Sequence, residues 1–125
     1  RAYEAAGDAA ASSRDGGRTW EAAGAGRDLP YCWALAVDPA DPDRWYVSAA
    51  AGPRAAHGGG QGRLYRWAGV WERLPLPHDA MPYALVAADG DLLAGMADGR
   101  VLQSGDGGDT WEDTGVRLDG IVAMA

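Results

Sequence analysis

S-R-D-G-G-R-T-W-E, residues Ser13–Glu21, returns later in the chain as S-G-D-G-G-D-T-W-E, residues Ser104–Glu112. Serine, aspartate, glycine, threonine, tryptophan and glutamate recur at the same offsets in both stretches. Alignment on Trp-Glu exposes a third, eroded copy, L-Y-R-W-A-G-V-W-E at Leu64–Glu72, which keeps Trp71-Glu72 but lacks the Ser, Asp and Thr. The segments after the copies correspond as well: Tyr31–Val37 reads Y-C-W-A-L-A-V, Met81–Ala87 reads M-P-Y-A-L-V-A, and Gly120–Ala125 opens a further one. Trp20 and Trp71 lie 51 residues apart and Trp71 and Trp111 lie 40 apart. Most of the difference is the insertion Ala51–Gly62, A-G-P-R-A-A-H-G-G-G-Q-G, where the next repeat has only Ala97-Asp98-Gly99.

Each unit reads as four short strands divided by turn residues, with no amphipathic helical stretch. In the fullest unit the expected strands are Tyr83–Ala87, Leu92–Met96, Val101–Ser104 and Thr110–Thr114; in the one before, Trp33–Val37, Trp45–Ser48, Leu64–Trp67 and Val70–Leu74. Four-stranded units of this period are those of propeller blades. The expected fold is therefore all-β: a partial β-propeller of four-stranded antiparallel blades. Its expected divisions are 1–29 (end of one blade), 30–79 (second blade), 80–118 (third blade) and 119–125 (first strand of the next).

Composition narrows the functional classes. Of 125 residues, 11 are basic, all arginine, against 18 Asp and Glu, for a formal charge of −7. Without a basic stripe, a nucleic-acid partner or an anionic membrane surface is disfavoured. No apolar run approaches the length of a membrane span. Cys32 has no second cysteine to pair with, which leaves the compartment open.

The S-x-D-x-G-x-T-W motif resembles the Asp-box, or BNR, repeat, and two of the three copies match it at every consensus position. That family includes sialidases, some endoglucanases, sortilin-type receptors and photosystem II assembly factors. The resemblance implies a propeller in which the motif is the hairpin between the third and fourth strands of a blade, on the face away from the active site. The residue types fit that role independently. Asp15 and Asp106 can accept backbone N–H bonds inside a tight hairpin, and Gly17 and Gly108 can take positive φ. Ser13 and Ser104 belong to the same motif, Thr19 and Thr110 are expected to begin the returning strand, and Trp20, Trp71 and Trp111 are expected between adjoining sheets. These are structural assignments, so neither aspartate is a candidate for catalysis or calcium binding.

Chemistry is expected on the other face, where inter-blade loops join the loops between second and third strands. These loops are Gly24–Pro30, Ala51–Gly62, Pro75–Pro82 and Gly115–Asp119. Candidate ligand-binding residues there are Arg27, Tyr31, Trp33, Arg54, His57, His78, Tyr83 and Arg117. Long loops on rigid scaffolds often carry function, but the glycines of the insertion equally fit a flexible surface excursion. The GGGQG run lacks the Lys-Ser/Thr ending of a phosphate loop. No metal-type spacing links Cys32, His57 and His78, and no metal or cofactor is expected. Hydrolysis of a glycoside needs two carboxyl groups; Asp28 and Asp79, in equivalent loops, are the candidates. An Arg cluster of Arg27, Arg54 and Arg117 would suit a sialidase, but the Phe-Arg-Ile-Pro motif is absent and no Tyr/Glu nucleophile pair can be assigned.

Two functions follow. The first is a binding or scaffold module with a protein or carbohydrate ligand; the second is part of a glycoside hydrolase, sialidase-like or glucanase-like. Because a propeller closes with four to eight blades, the chain is expected to be part of a longer polypeptide or to self-associate, its partners being the remaining blades.

Overall fold

The computed structural model describes residues 1–121. Three antiparallel sheets follow one another along the chain. The first holds β1 (Ala2–Ala6), β2 (Ala9–Ser13) and β3 (Glu21–Ala22), in the order β1-β2-β3. The second holds β4 (Tyr31–Asp38), β5 (Asp41–Ala50), β6 (Arg63–Trp67) and β7 (Trp71–Leu74), in the order β4-β5-β6-β7. The third holds β8 (Pro82–Ala88), β9 (Asp91–Met96), β10 (Arg100–Ser104) and β11 (Glu112–Arg117), with β8 and β11 at its edges. All are simple meanders, and the fold is a partial β-propeller. The expected start of another blade at 119–125 falls largely on residues 122–125, outside the described ones.

Side chains two apart on a strand share a face, and the middle sheet uses both of its faces. Trp45 and Val47 on β5, with Tyr65 on β6, enter the core shared with the first sheet, beside Ala10, Ala23, Cys32 and Trp71. Their neighbours Tyr46 and Leu64 point the other way, into the core shared with the third sheet, beside Leu74, Leu85, Leu92, Met96 and Leu102. Residues 45–50 of β5 are therefore buried without alternation, because both faces of the stretch are covered. The connection from β8 to β9 is a two-residue turn, Asp89-Gly90, whose φ angles of 53° and 84° match the right-handed twist of its flanking strands.

The two Ser/Asp/Gly hairpins share one hydrogen-bond scheme. Ser13 Oγ accepts from Gly17 N–H at 2.8 Å and donates to Asp15, while Ser104 Oγ does the same for Gly108 at 2.8 Å and Asp106. The Asp15 carboxylate accepts from the Thr19 hydroxyl (2.6 Å) and the Thr19 N–H (2.9 Å), matched by Thr110 on Asp106 (2.5 and 2.9 Å). Because these bonds favour the ionised carboxylate, both groups lie at about 2, below the ordinary 3.8. Thr110 is therefore engaged in the turn, and β11 starts at Glu112 rather than at Thr110.

The three tryptophans differ. Trp71 is buried, packs edge-on against Trp45 and Trp67, and donates from Nε1 to the Ala23 carbonyl of the first sheet (2.6 Å). Trp111 packs partly buried against the core between the second and third sheets. Trp20 does not lie between sheets: it is 44% exposed, because the first sheet has no neighbour on that side among the described residues. At the opposite flank, β11 is exposed along its whole length.

Candidate functional site

The meander sends alternate connections to opposite ends of the sheets. The hairpins 14–20, 68–70 and 105–111 and the turns after β4 and β8 lie at one end. The inter-sheet loops, the insertion and the β9–β10 turn lie at the other, called here the loop end.

At the loop end the insertion is folded. Gly52 is extended and Pro53 occupies the first helical position, which its fixed φ suits, so residues Pro53–His57 form a single helical turn, α1. This differs from the helix-free expectation. Ala56 is fully buried, and its carbonyl accepts the Tyr83 hydroxyl. The glycine run then pairs with the loop between the second and third sheets. Met81 N–H bonds Gly59 O at 2.9 Å, Gly60 bridges Ala80, and Gly62 N–H meets Asp79 O at 3.4 Å. The segment is thus stitched to the body of the protein rather than being a loose excursion.

This brings three sequence candidates together. The Trp33 ring lies 5.1 Å from His57, edge to face, and 5.1 Å from Tyr83. Trp33 and Tyr83 come from β4 and β8, the first strands of their sheets, and Tyr31 packs partly buried on the same Ala50–Ala56–Met81 cluster. Trp33 and Tyr83 are half-buried, while His57 and Arg54 are exposed beside them on α1. The result is a preformed aromatic surface with a guanidinium on the same helical turn.

Other candidates are placed apart. Arg27 directs its guanidinium at backbone carbonyls of Leu29 (3.0 Å), Pro30 (3.3 Å), Ala23 (3.4 Å) and Asp8 (3.4 Å), bracing the loop before β4. Arg117 sits on β11, at the outer edge of the third sheet, paired with Asp113 at 2.8 Å. His78 and Asp79 line a small cavity of about 30 Å³ together with Arg63 and Arg73. Asp28 accepts the hydroxyl of buried Tyr65, whose oxygen also takes the Leu29 N–H at 3.2 Å. That hydroxyl, aided by Arg73 and Arg63, holds the Asp28 carboxyl below its ordinary value. Burial, reinforced by the carboxylate, pushes Tyr65 up to about 12. Arg63 Nε is buried without a partner among the described residues.

Sequence reading missed Arg63, Arg73 and Tyr65, which lie within or at the ends of strands and look there like ordinary sheet residues. Cys32 is buried in the core, and desolvation raises its thiol. Among the described residues no three His, Cys, Asp or Glu side chains are grouped to hold a metal ion, and no helix is long and apolar enough to cross a membrane.

No protein-family profile matches the chain. No curated protein matches it either. Among solved structures it is similar to YCF48 bound to D1 peptide, with a TM-score of 0.65 and 17% identity over 89% of this chain. The match spans 34% of the YCF48 chain, about a third of its length. That likeness, between chains so different in sequence, is one of fold, and the fold they share is the β-propeller.

Proposed function

We propose that the chain is part of a β-propeller that binds another protein through its loop end. The observation that carries this reading is the Trp33–His57–Tyr83 cluster, set on a packed insertion rather than on a free loop. Aromatic side chains already held in place lose little conformational freedom on binding, and such groups dominate interface energetics. Arg54, Arg63 and Arg73 at the same end can meet acidic side chains of a partner. The peptide named with YCF48 supports the reading by analogy of fold alone. A hydrolase has less support. A general acid needs its pKa raised, whereas Asp28 is lowered and committed to Tyr65.

Peptides selected from a random displayed library against the full chain should bind saturably, and His57→Ala and Arg54→Ala should each weaken the same peptide by about five- to thirtyfold. Both residues are exposed, so the fold is kept. Equal binding to wild type and both variants would overturn the proposal. So would turnover of an aryl glycoside that Asp28→Asn abolishes.

A further inference from the structure

The register of β6 and β7 sets Arg63 and Arg73 on one face of the second sheet. Tyr65 is opposite Arg73, and Arg63 shares the face of Tyr65 two residues away. Long side chains placed diagonally in this way reach one another. Both arginines line a cavity of about 30 Å³ at the loop end, together with Leu74, Leu76, His78 and Asp79. Arg63 commits one nitrogen to the protein: Nη1 donates to Gly62 O at 3.2 Å. Its Nε–H is buried and has no partner among the described residues. In a guanidinium, Nε and Nη2 form one edge with two parallel N–H groups, so a whole edge of Arg63 is left open. Arg73 is open as well. The ion pairs of the described residues belong to Arg1, Arg14, Arg66, Arg100 and Arg117, and neither Arg63 nor Arg73 has one. The Asp28 carboxylate feels both charges but is bound to the Tyr65 hydroxyl. Buried donors are normally satisfied, and two neighbouring guanidiniums without a paired carboxylate repel each other. One entering anion relieves both.

We propose that this cavity is a carboxylate subsite, in which the Nε/Nη2 edge of Arg63 holds the group with two bonds and Arg73 adds a second positive charge. The volume selects among anions. A space of about 30 Å³ holds roughly two water-sized groups, which suits the two oxygens of a carboxylate and not the four of a phosphate. Leu74 and Leu76 offer apolar contact to the carbon chain behind it. Asp79 is exposed at the cavity, and its charge opposes a dianion more than a monoanion. The carboxylate can belong to an acidic side chain of a partner or to a small free acid; its chemistry at Arg63 is the same. This inference deepens the loop-end reading. That reading is tested at His57 and Arg54 and this one at Arg63 and Arg73, so each can fail without the other.

The Arg63 Nε–H resonance in a proton–nitrogen spectrum of the full chain, assigned by its loss in Arg63→Lys, reports occupancy directly. Sodium acetate and N-acetylglutamate methylamide, titrated separately, test the site. At least one should move the resonance saturably, less tightly as salt rises, while uncharged N-acetylglutamine methylamide should not. Arg73→Gln, at an exposed position, should weaken binding by about tenfold, the effect of a lost charged hydrogen-bond donor. Asp79→Asn should tighten it by about two- to fivefold, since an opposing charge is removed. Arg18→Gln removes an exposed charge from the hairpin at the other end and should leave it unchanged. Tighter binding of the glutamate derivative points to a protein-borne side chain, and tighter binding of acetate to a small acid; either supports the subsite. A resonance unmoved by both carboxylates, a loss in Arg18→Gln equal to that in Arg73→Gln, or phosphate binding more tightly than either carboxylate overturns it.

Discussion

Gly17 and Gly108 hold the same position in the two hairpins, and replacing each by alanine separates what the hairpin demands from what the neighbouring sheet demands. Both have positive φ, 89° and 102°, so a Cβ costs about 1–3 kcal/mol of backbone strain at either site. Their surroundings differ. A Cβ on Gly17 would meet only the Trp20 ring of its own hairpin, at 3.7 Å, an ordinary contact. On Gly108 it would lie 2.4 Å from Leu74 Cδ1, well inside the contact distance of about 3.5–4.0 Å. Leu74 is 3% exposed and wedged in the core between second and third sheets, so it cannot swing clear. Overpacking of that kind adds about 1–3 kcal/mol. Gly108→Ala should therefore destabilise by about 2–6 kcal/mol and Gly17→Ala by about 1–3. For a unit of this size the difference corresponds to a midpoint lower by roughly 3–6 °C per kcal/mol.

Urea unfolding followed by tryptophan fluorescence reads both variants. A cycle with Leu74→Ala isolates the contact. That substitution alone costs about 2–5 kcal/mol, but in its background Gly108→Ala should cost no more than Gly17→Ala does in the wild type. The coupling should thus be about 1–3 kcal/mol. Equal losses at Gly17 and Gly108, or strict additivity of Gly108→Ala with Leu74→Ala, would refute the claim that the second hairpin is clamped by the neighbouring sheet.

Acid should act on the hairpins first. Because the carboxyls of Asp15 and Asp106 are lowered to about 2 in the fold, their contribution is complete above the ordinary 3.8 and is lost as pH falls through about 2. The Trp20 and Trp111 indole N–H resonances, bonded to Gly17 and Gly108 carbonyls, should shift over that window and not above it; unchanged resonances at about pH 2 would contradict this. Tyr65→Phe leaves the Leu29 N–H and Asp28 without their partner and should cost about 1–3 kcal/mol in urea unfolding, with the Asp28 carboxyl titrating at higher pH; a neutral substitution with an unmoved Asp28 would refute the pairing. At high concentration the chain should self-associate, since Trp20, Val116 and Leu118 are 44%, 45% and 48% exposed on its two flanks. Light scattering that shows a monomer at every concentration would contradict that.

Much of the fold was legible along the chain, and the limits of that legibility have physical causes. The expected strand Trp45–Ser48 grew to Asp41–Ala50: residues 41–44 are exposed and of turn type, which hides a strand, and Ala49 and Ala50 continue a stretch buried on both faces, where no alternation marks the end. α1 went unseen although Pro53 and two alanines were present: a single turn is too short to show a period. Trp33, His57 and Tyr83 were each singled out, but their meeting depended on how the insertion packs. Arg63, Arg73 and Tyr65 carried no motif at all.

The sequence by itself determined the repeat, the antiparallel blades and the inner wiring of the hairpins. Every bond there joins groups two to four residues apart, as from Ser13 to Gly17 or Asp15 to Thr19, so local residue types suffice. Only the tertiary structure decided which tryptophan is buried, which arginines are committed to the scaffold, and that Trp33, His57 and Tyr83 meet. Those outcomes depend on the face that an adjacent sheet covers, and contacts between sheets bring together residues tens of positions apart, with no spacing rule to announce them.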